Sequence, residues 1–365
     1  MMREAIVSLS PSLSTEIHEV EIPVPQSNEI VIKVMVAGSN VKDWAHLEAK
    51  RLSMNSGDDI AGYIHDLGEN AKAAGEFRVG DRVAAFHPML TPGGAYAEFA
   101  VAPLHTVFKL PSTITFEEAA TIPLVAMTAG IALFHSQSLP PPWSPRMTTA
   151  APLPLIVYGA SSALGCFAIK LAKASNIHPI IAICGESKDY VASILEPSKG
   201  DTIVDYRHGT EAMKTAVKQA LGPLEAHHAL DAISAHGTWV PLTQILSPSG
   251  SQVSVVSGAN AYNEKEIPEG VEIKYTFVGI AHTGAYAPQM PKQPAEKESA
   301  RSAPEFAYVF FRYLARMLAL NTFEGHPYEI IPGGLDGVAK GLQKLKNGEA
   351  RGRKFIYRIG DSTSA

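Results

Sequence analysis

The second half of the chain alternates apolar, strand-like runs with helix-like runs, and this alternation restricts the fold more than any other feature. Several apolar runs lack polar alternation, as is typical of parallel strands covered on both faces. The repeat predicts an α/β fold with a doubly wound parallel sheet. The predicted strands cover residues 154–159, 179–185, 201–206, 227–233, 251–257 and 272–279. The predicted helices cover residues 164–175, 187–195, 210–221 and 238–246.

The stretch "YGASSALGC" forms the first strand–turn–helix of this region and predicts a phosphate-binding loop. Gly159 provides the turn and Gly165 the close approach of helix and strand that a pyrophosphate needs at a helix N-terminus. Hydroxyl groups between them can donate to phosphate oxygens. An ordinary strand-to-helix turn is the alternative, because short glycine motifs also occur by chance. The expected cofactor-binding residues of this loop are Gly159, Ser161, Ser162, Ala163, Leu164 and Gly165.

The ends of the second and third predicted strands bear on the choice between NAD and NADP. NAD sites usually place an acidic residue there, whereas NADP sites favour cations and hydroxyls for the extra phosphate. Ser187 and Lys188 follow the second strand and Tyr206 ends the third, and all three favour NADP. Glu186 is the opposing signal, and we expect it to point outward. For Lys188 the alternative is a solvated lysine on the first turn of a helix.

The first 110 or so residues consist of short strand-like runs with Gly and Pro between them, which predicts a compact β-rich barrel. From Thr115 onward the pattern is helical, with Thr115 as the N-cap and Glu118 in the position of a capping box. A proline-dense loop follows at 139–154. The simplest organisation is a β-rich domain from both ends of the chain, 1–122 and 282–365, with a nucleotide-binding α/β domain at 123–281.

Composition narrows the class of protein. Hydrophobic residues make up 46% of the chain and charged residues 18%, as in a globular protein. The net charge of −5 gives no reason to expect a nucleic acid as partner. No apolar run reaches the length of a membrane span, and the N-terminus does not resemble a secretory signal. The two cysteines, Cys166 and Cys184, are interpreted as buried thiols, and we expect a cytoplasmic protein.

Four segments together resemble the medium-chain dehydrogenase/reductase superfamily: "GDDIAGYIHDLGENAKAAGEFRVGDRVAAF", "GGAYAEFAVAP", "LPSTITFEEAATIPLVAMTAGIALF" and "GGLDGVAKGLQKLKNGEARGRKFIYRI". The loop at 139–154 and the region after 275 are most similar to its zinc-independent, quinone-oxidoreductase-like group, which includes the fungal trans-acting enoyl reductases of polyketide pathways. The resemblance implies a GroES-like catalytic domain, a Rossmann domain and NADP(H) as cofactor.

The resemblance also allows a test for zinc. Zinc-dependent relatives have a cysteine in a G-x-C-H motif and a histidine in a G-H-E motif. In this chain Asn40 stands at the cysteine, Asp58 at the histidine and Asp59 at the glutamate. These residues lack the Cys/His set that a catalytic zinc prefers, and the cysteines of a structural zinc site are also missing. We therefore expect no metal.

Site residues follow from matching positions in the family. Thr128 and Lys42 are the catalytic candidates, and His46 is a substitute donor, because Ala45 stands where relatives have lysine. Thr128 could instead bond its own helix. The other expected cofactor contacts are Val41, Lys42, Asp43, Trp44, Val256, Ser257, Ala350 and Arg351, of which Asp43 and Trp44 could serve only packing and capping. The expected substrate contacts are Met127, Thr128, Ile131, Tyr275, Thr276, Phe277, Val278 and Gly279.

The chemistry that this site predicts is reduction of a conjugated C=C bond, since hydride addition to the β-carbon needs no Lewis acid. The expected partner is a small-molecule or carrier-bound enoyl substrate, such as the intermediate of a polyketide synthase. Quinone reduction is one alternative, and an NADPH-binding protein without turnover is another. The proline-rich insertion favours a monomer.

Overall fold

A computed structural model describes residues 1–282 and 294–360, and this part of the chain divides into two compact units. The first unit contains Met1–Leu124 with segments 279–282 and 304–360. The second contains Val125–Val278 with segment 294–303. The predicted domain ranges also include 283–293 and 361–365, which lie outside the described residues.

The strands of the described residues are numbered in chain order. They are β1 (Met2–Ser8), β2 (Ser14–Val20), β3 (Glu29–Gly38), β4 (Asp59–Leu67), β5 (Arg82–Phe86), β6 (Phe99–Pro103), β7 (Val107–Lys109), β8 (Leu155–Tyr158), β9 (Ile180–Cys184), β10 (Thr202–Asp205), β11 (His228–Asp231), β12 (Ser251–Val255), β13 (Val271–Tyr275), β14 (Tyr328–Ile330) and β15 (Lys354–Arg358).

The helices are numbered in the same way. They are α1 (Lys42–Lys50), α2 (Glu69–Ala74), α3 (Phe116–Ala119), α4 (Pro123–Gly130), α5 (Ala163–Ala174), α6 (Asp189–Ile194), α7 (Thr210–Leu221), α8 (Trp239–Ile245), α9 (Pro294–Ala319) and α10 (Val338–Lys346). A π-helical turn, Ile131–Ser136, directly follows α4. Within the described residues, no helix combines the length and the apolar character that crossing a bilayer would require.

The first unit is built on a seven-stranded sheet in the order β14-β15-β3-β4-β5-β7, with β6 also paired to β3. β1 and β2 form a separate antiparallel hairpin. β3 is a long strand whose side chains are mostly buried, and it pairs with β4, β6 and β15. The predicted β-rich domain is therefore a sheet that both ends of the chain complete, because β15 comes from the C-terminal segment.

The second unit is built on a six-stranded sheet in the order β10-β9-β8-β11-β12-β13, and every neighbouring pair is parallel. Strand order reverses between β8 and β11, which is the point where doubly wound folds bind ligands. β9 is buried along its whole length, as a strand covered on both faces should be. The predicted α/β fold class, with a doubly wound parallel sheet, is confirmed.

Two predicted elements differ from the structure at their ends. The strand predicted at 272–279 ends at Tyr275, and the chain then forms a 3₁₀ turn over Val278–Ala281. The helical region after Thr115 is divided into α3, α4 and the π-helical turn. Pro123 begins α4, in the position that a helix tolerates best for proline.

The predicted capping box at the start of α3 is half confirmed. The Thr115 side chain accepts the backbone N–H of Glu118 at 3.1 Å. The Glu118 carboxylate accepts the N–H of Gly325 at 2.8 Å, so it serves a contact distant in sequence rather than returning to Thr115. A local sequence motif predicts the first bond but not the second, because the partner is 207 residues away.

His282 makes the stability of the first unit depend on pH. Its ring is buried, Nε2 lies 3.0 Å from the carbonyl oxygen of Phe86, and Nδ1 has no partner. Burial lowers the pKa of His282 from 6.5 to about 3. The unfolded chain therefore binds a proton between these values while the folded chain does not, and stability is lost as pH falls below 6.5.

We expect His282 alone to cost about 2 kcal/mol of unfolding free energy between pH 7.5 and pH 5. Urea denaturation at the two pH values measures the loss. In His282→Gln the amide can still donate to Phe86, so this part of the pH dependence should disappear. Equal pH dependence in the variant and the parent would contradict the assignment.

Candidate functional site

The predicted phosphate loop leaves β8 and enters α5 with no room for larger side chains. Gly159 has a φ of +71°, and a Cβ there would lie 2.5 Å from the side chain of Ile233. A Cβ on Gly165 would lie 2.4 Å from the carbonyl oxygen of Gly159. Both glycines are therefore required by the backbone itself, whatever the loop binds.

The start of α5 has the features of an anion site. Ser162 is the N-cap, and its hydroxyl oxygen accepts the N–H of Gly165 at 3.0 Å. This bond leaves the hydroxyl hydrogen of Ser162 as a donor. The first-turn N–H groups of Ala163 and Leu164 have no acceptor within α5 and point outward from its N-terminal end. Together with the helix dipole, these donors fit the pyrophosphate of a dinucleotide.

The ends of β9 and β10 bring together the residues predicted to distinguish NADP from NAD. Gly185 is buried, and a Cβ there would lie 3.2 Å from the Tyr206 hydroxyl and 3.3 Å from Cδ of Arg207. Tyr206 is 43% exposed. Arg207 forms an ion pair with Asp205 at 2.7 Å, so one carboxylate already partly balances its charge. The aromatic ring and the guanidinium fit a phosphate-bearing ribose.

Ser187, Lys188 and Glu186 lie in the turn between β9 and α6. Glu186 and Lys188 are exposed and Ser187 is half-buried. The backbone N–H of Lys188 donates to the carbonyl oxygen of Glu186 at 2.9 Å. The pKa of Arg207 is raised mainly by its hydrogen bond to Asp205, and the negative charge of Glu186 adds to the increase. The exposure of Glu186 agrees with the expectation that it points outward.

The ends of β11 and β12 are connected by bonds that the sequence did not reveal. The buried carboxylate of Asp231 accepts the N–H groups of Ile233 (3.0 Å) and Ser234 (2.8 Å). The Ser234 hydroxyl in turn accepts the N–H of Val256 at 2.9 Å. Asp231 and Ser234 thus hold the predicted cofactor residue Val256. The usable signal was an aspartate near the end of the strand predicted at 227–233.

The remaining predicted residues of the second unit lie along β12, β13 and α4. The Tyr262 hydroxyl donates to the carbonyl oxygen of Ser257 at 2.7 Å. The backbone N–H of Thr276 donates to the carbonyl oxygen of Val255 at 2.8 Å. Tyr275 is the last residue of β13, and Phe277 lies two residues further along the chain. Val278 begins the 3₁₀ turn, and the next residue, Gly279, belongs to the first unit. Met127, Thr128 and Ile131 are all buried.

In the first unit, α1 carries the predicted residues Lys42, Asp43 and Trp44. The Lys42 ammonium donates to the carbonyl oxygen of Ser56 (2.6 Å), pairs with Asp43 (3.0 Å) and contacts Asp58. Burial alone lowers the pKa of Lys42, but the charges of Asp43 and Asp58 outweigh burial and raise it. Lys42 is thus a charged group held between the carbonyl oxygen of Ser56 and the carboxyl groups of Asp43 and Asp58.

Asp43 and Asp59 extend this arrangement into a buried network. One oxygen of Asp43 accepts the N–H of Asn40 (2.8 Å) and the hydroxyl of Tyr96 (2.6 Å). Asp59 accepts the Asn40 side-chain amide (2.8 Å) and contacts the Lys354 ammonium. Its other oxygen accepts the N–H of Leu124, in the first turn of α4, at 2.7 Å.

The positions that hold zinc in dehydrogenases are therefore engaged with protein groups. Asn40 and Asp59 bond one another, Lys42 contacts Asp58, and Lys354 contacts Asp59. Burial raises the pKa of Asp58 to about 8, against the opposing effect of Lys42. Two ammonium groups already provide the positive charge that a zinc ion would bring. The residues present do not fit a zinc site.

His46 and the C-terminal turn complete the predicted set in the first unit. Burial lowers the pKa of His46 to about 4, and its Nδ1 is buried without a partner. Val41 is the N-cap residue of α1 and is 56% exposed. Ala350 is half-buried and Arg351 exposed, in the turn before β15.

Comparison with known proteins agrees with these features. Residues 26–112 match the alcohol dehydrogenase GroES-like domain family. The chain is 35% identical to the trans-enoyl reductase fsr4 of Gibberella fujikuroi over 336 residues, 91% of each chain. The fold is similar to that of CurK enoyl reductase, with a TM-score of 0.72, 15% identity and coverage of 97% and 98%. It is also similar to mycobacterial Rv1454c complexed with NADPH, with a TM-score of 0.71, 17% identity and coverage of 97% and 99%.

Substituting the second loop glycine should strongly weaken dinucleotide binding. In Gly165→Ala the new methyl group overlaps the backbone at Gly159, so the loop must move away from its anion-binding geometry. We expect NADPH affinity, measured by fluorescence titration, to fall by about tenfold or more, or 1.4 kcal/mol. Ser161→Ala removes one hydroxyl and should weaken binding only several-fold.

Thermal unfolding and circular dichroism of both variants establish whether they remain folded. A folded Gly165→Ala variant with parental NADPH affinity would show that the cofactor binds elsewhere.

Proposed function

Because this chain belongs to the trans-enoyl reductases of the medium-chain dehydrogenase/reductase superfamily, and is therefore an oxidoreductase acting on a C=C bond, we propose that it is an NADPH-dependent, zinc-independent enoyl reductase. The proposed substrate is an α,β-unsaturated thioester or ketone formed in polyketide biosynthesis. The observation that carries the proposal is the phosphate loop, in which Gly159 and Gly165 allow the tight strand-to-helix turn that an anion site at the start of α5 requires.

The residues that would hold the cofactor lie mainly in the second unit. The loop 159–165 would bind the pyrophosphate, and Val256 and Ser257 would lie near the nicotinamide. When bound, NADPH supplies the hydride that adds to the β-carbon of the substrate. The chain itself orients both partners, excludes water and donates a hydrogen bond to the carbonyl oxygen on which negative charge develops.

Preference for NADPH is supported by the residues around Gly185. Tyr206 and Arg207 adjoin it, Ser187 and Lys188 follow it, and Glu186 is exposed. Cationic and hydroxyl groups are what a 2′-phosphate requires. The solved mycobacterial protein of similar fold contains NADPH. These observations support NADPH as the cofactor.

The donor to the carbonyl oxygen is proposed to be Thr128. Lys42, the other candidate, has its ammonium group committed to Asp43, Asp58 and the carbonyl of Ser56. A lysine held by two carboxyl groups has little remaining attraction for an oxyanion. Thr128 is buried and can donate a hydrogen bond without bringing a charge.

We propose a carrier-bound or free enoyl thioester as partner and the cytoplasm as location. The family names of the relatives support the first. Quinone reduction and cofactor binding without turnover are the outcomes that the following experiment separates from enoyl reduction.

With NADPH carrying deuterium at C4, the protein should convert an enoyl thioester to the saturated thioester with deuterium on the β-carbon. Mass spectrometry and NMR of the product detect the label. Thr128→Val removes the hydroxyl at nearly constant volume and should lower kcat/KM by about 10²-fold, as does loss of an oxyanion donor elsewhere. Thr128→Ser keeps the hydroxyl and should retain most activity.

Oxidation of NADPH by quinones alone would favour the quinone reductase, and NADPH binding with neither reaction would favour the non-catalytic protein. Equal turnover by the Val and Ser variants would remove Thr128 from the mechanism.

Zinc should be dispensable. Lys42 and Lys354 already balance the carboxylates at the positions where dehydrogenases bind the metal. Metal analysis of protein expressed in zinc-supplemented medium should find well under one zinc per chain, and dialysis against a chelator should leave turnover unchanged. One tightly bound zinc per chain, or loss of activity on chelation, would refute zinc independence.

A further inference from the structure

The π-helical turn Ile131–Ser136 continues directly from α4 and is an unusual local structure. Its first four residues are buried. Turns of this type widen the helix by one residue, are rare, and occur frequently near functional sites. They also displace backbone carbonyl groups from the bonds of a regular helix, so their stability depends on partners outside the helix.

A hydrogen-bonded relay of three side chains, His228, Gln137 and Ser254, provides such partners. His228 Nδ1 lies 3.0 Å from Oε1 of Gln137. Nε2 of Gln137 donates to the carbonyl oxygen of Ala229 (2.8 Å) and to the hydroxyl of Ser254 (2.8 Å). The Ser254 hydroxyl donates to the carbonyl oxygen of Ala132, inside the turn, at 3.1 Å. Both Gln137 and Ser254 are buried.

Chemistry fixes the direction of every bond in the relay. The amide nitrogen of Gln137 can only donate and carbonyl oxygens can only accept. The Ser254 hydrogen must therefore point at Ala132, and Nδ1 of His228 must carry a hydrogen to meet Oε1 of Gln137. Turning the Gln137 amide over would place two oxygens against each other at Ala229. The relay thus has one satisfied arrangement.

The relay attaches both ends of the turn to the parallel sheet. Ala132 lies near its beginning, and Gln137 is the residue directly after its end. Ser254 belongs to β12 and His228 to β11. The turn also carries Phe134, whose ring lies 6.5 Å from that of Trp143 in an edge-to-face arrangement. Any loosening of the turn therefore changes the environment of Trp143.

We propose that Gln137 and Ser254 are positioning residues that hold the π-helical turn and thereby fix the rotation of Ile131 about the helix axis relative to Thr128 on α4. Conversion of the turn to regular helix would shift its residues by one position, a rotation of about 100°. The catalytic consequence rests on the proposed function of Thr128. The predicted substrate contact Ile131 is the first residue of the turn, so substrate fit should depend on the relay.

A purely structural role for these side chains would lower stability without a selective effect on substrate. The chain offers a matched control in Thr243, a fully buried residue of the same unit whose hydroxyl donates to the carbonyl oxygen of Val240 at 2.7 Å. Thr243 lies on α8, and the bond of its hydroxyl stays within that helix. Its removal should cost similar stability and leave the position of Thr128 unchanged.

The test compares Ser254→Ala with Thr243→Ala and the parent. Loss of the Ser254 bond should raise KM for the enoyl thioester about fivefold, the equivalent of one hydrogen bond of about 1 kcal/mol. NADPH affinity should stay close to the parental value, because the relay contains none of the residues of the phosphate loop. Gln137→Leu should have a larger effect in the same direction, and Ser254→Cys, a weak donor of similar size, an intermediate one.

A spectroscopic measurement follows the turn without activity. The chain contains three tryptophans, so ¹⁹F NMR of protein labelled with 5-fluorotryptophan gives three signals, assigned by Trp143→Phe. Ser254→Ala should shift the Trp143 signal, whereas Thr243→Ala should affect that of Trp239 on its own helix. An unmoved Trp143 signal, or an equal rise of KM in Thr243→Ala, would overturn the proposal.

The two proposals fail in different ways. Absence of enoyl turnover by the parent protein would refute the proposed function and, with it, the catalytic consequence of the relay. A shifted Trp143 signal in Ser254→Ala would then still establish that the relay holds the turn. Turnover with an unshifted signal and an unchanged KM would leave the enoyl reductase intact and remove the positioning role.

Discussion

Charges buried in the first unit have to be balanced by other protein groups, because water does not reach them, and the local architecture follows from this requirement. Asp43, Asp58 and Asp59 are each at most 1% exposed. A buried carboxylate without a partner costs several kcal/mol. Lys42 comes from α1 and Lys354 from β15, so the balance ties together parts of the chain about 300 residues apart. The C-terminal strand is thereby part of the same charge arrangement as α1.

The second unit meets the equivalent requirement with neutral hydrogen-bond donors at the ends of its parallel strands. The Asp231 carboxyl group accepts the N–H groups of Ile233 and Ser234 in the turn after β11. The Ser234 hydroxyl oxygen accepts the N–H of Val256, which follows β12. Gly165 brings α5 against the first turn so closely that a single methyl group would disturb it. Rigid loops at this edge are what a cofactor site needs, since their donors must not reorganise when charge develops.

The sequence predicted the features that depend on local pattern and missed those that depend on distant partners. α7 occupies Thr210–Leu221, the range predicted from its periodicity, because Gly209 and Gly222 limit it on both sides. The π-helical turn and the pairing of Asp59 with Lys354 were not predictable in this way. Each depends on groups that folding alone brings together, and no spacing in the sequence records them.

The same reasoning separates the two candidates for the catalytic donor, which the sequence left equal. Lys42 is the stronger donor in isolation, but two carboxyl groups and a carbonyl oxygen surround its ammonium group, so its charge attracts a further oxyanion only weakly. A neutral group such as the Thr128 hydroxyl, or the His46 ring whose pKa burial lowers to about 4, presents a dipole to such an oxygen rather than a charge. In the metal-free enoyl reduction that we propose, stabilisation of the enolate depends on how accurately such neutral donors are held, since a dipole misaligned by a fraction of an ångström loses much of its effect. On that proposal, the relay behind the π-helical turn contributes to the chemistry as well as to stability.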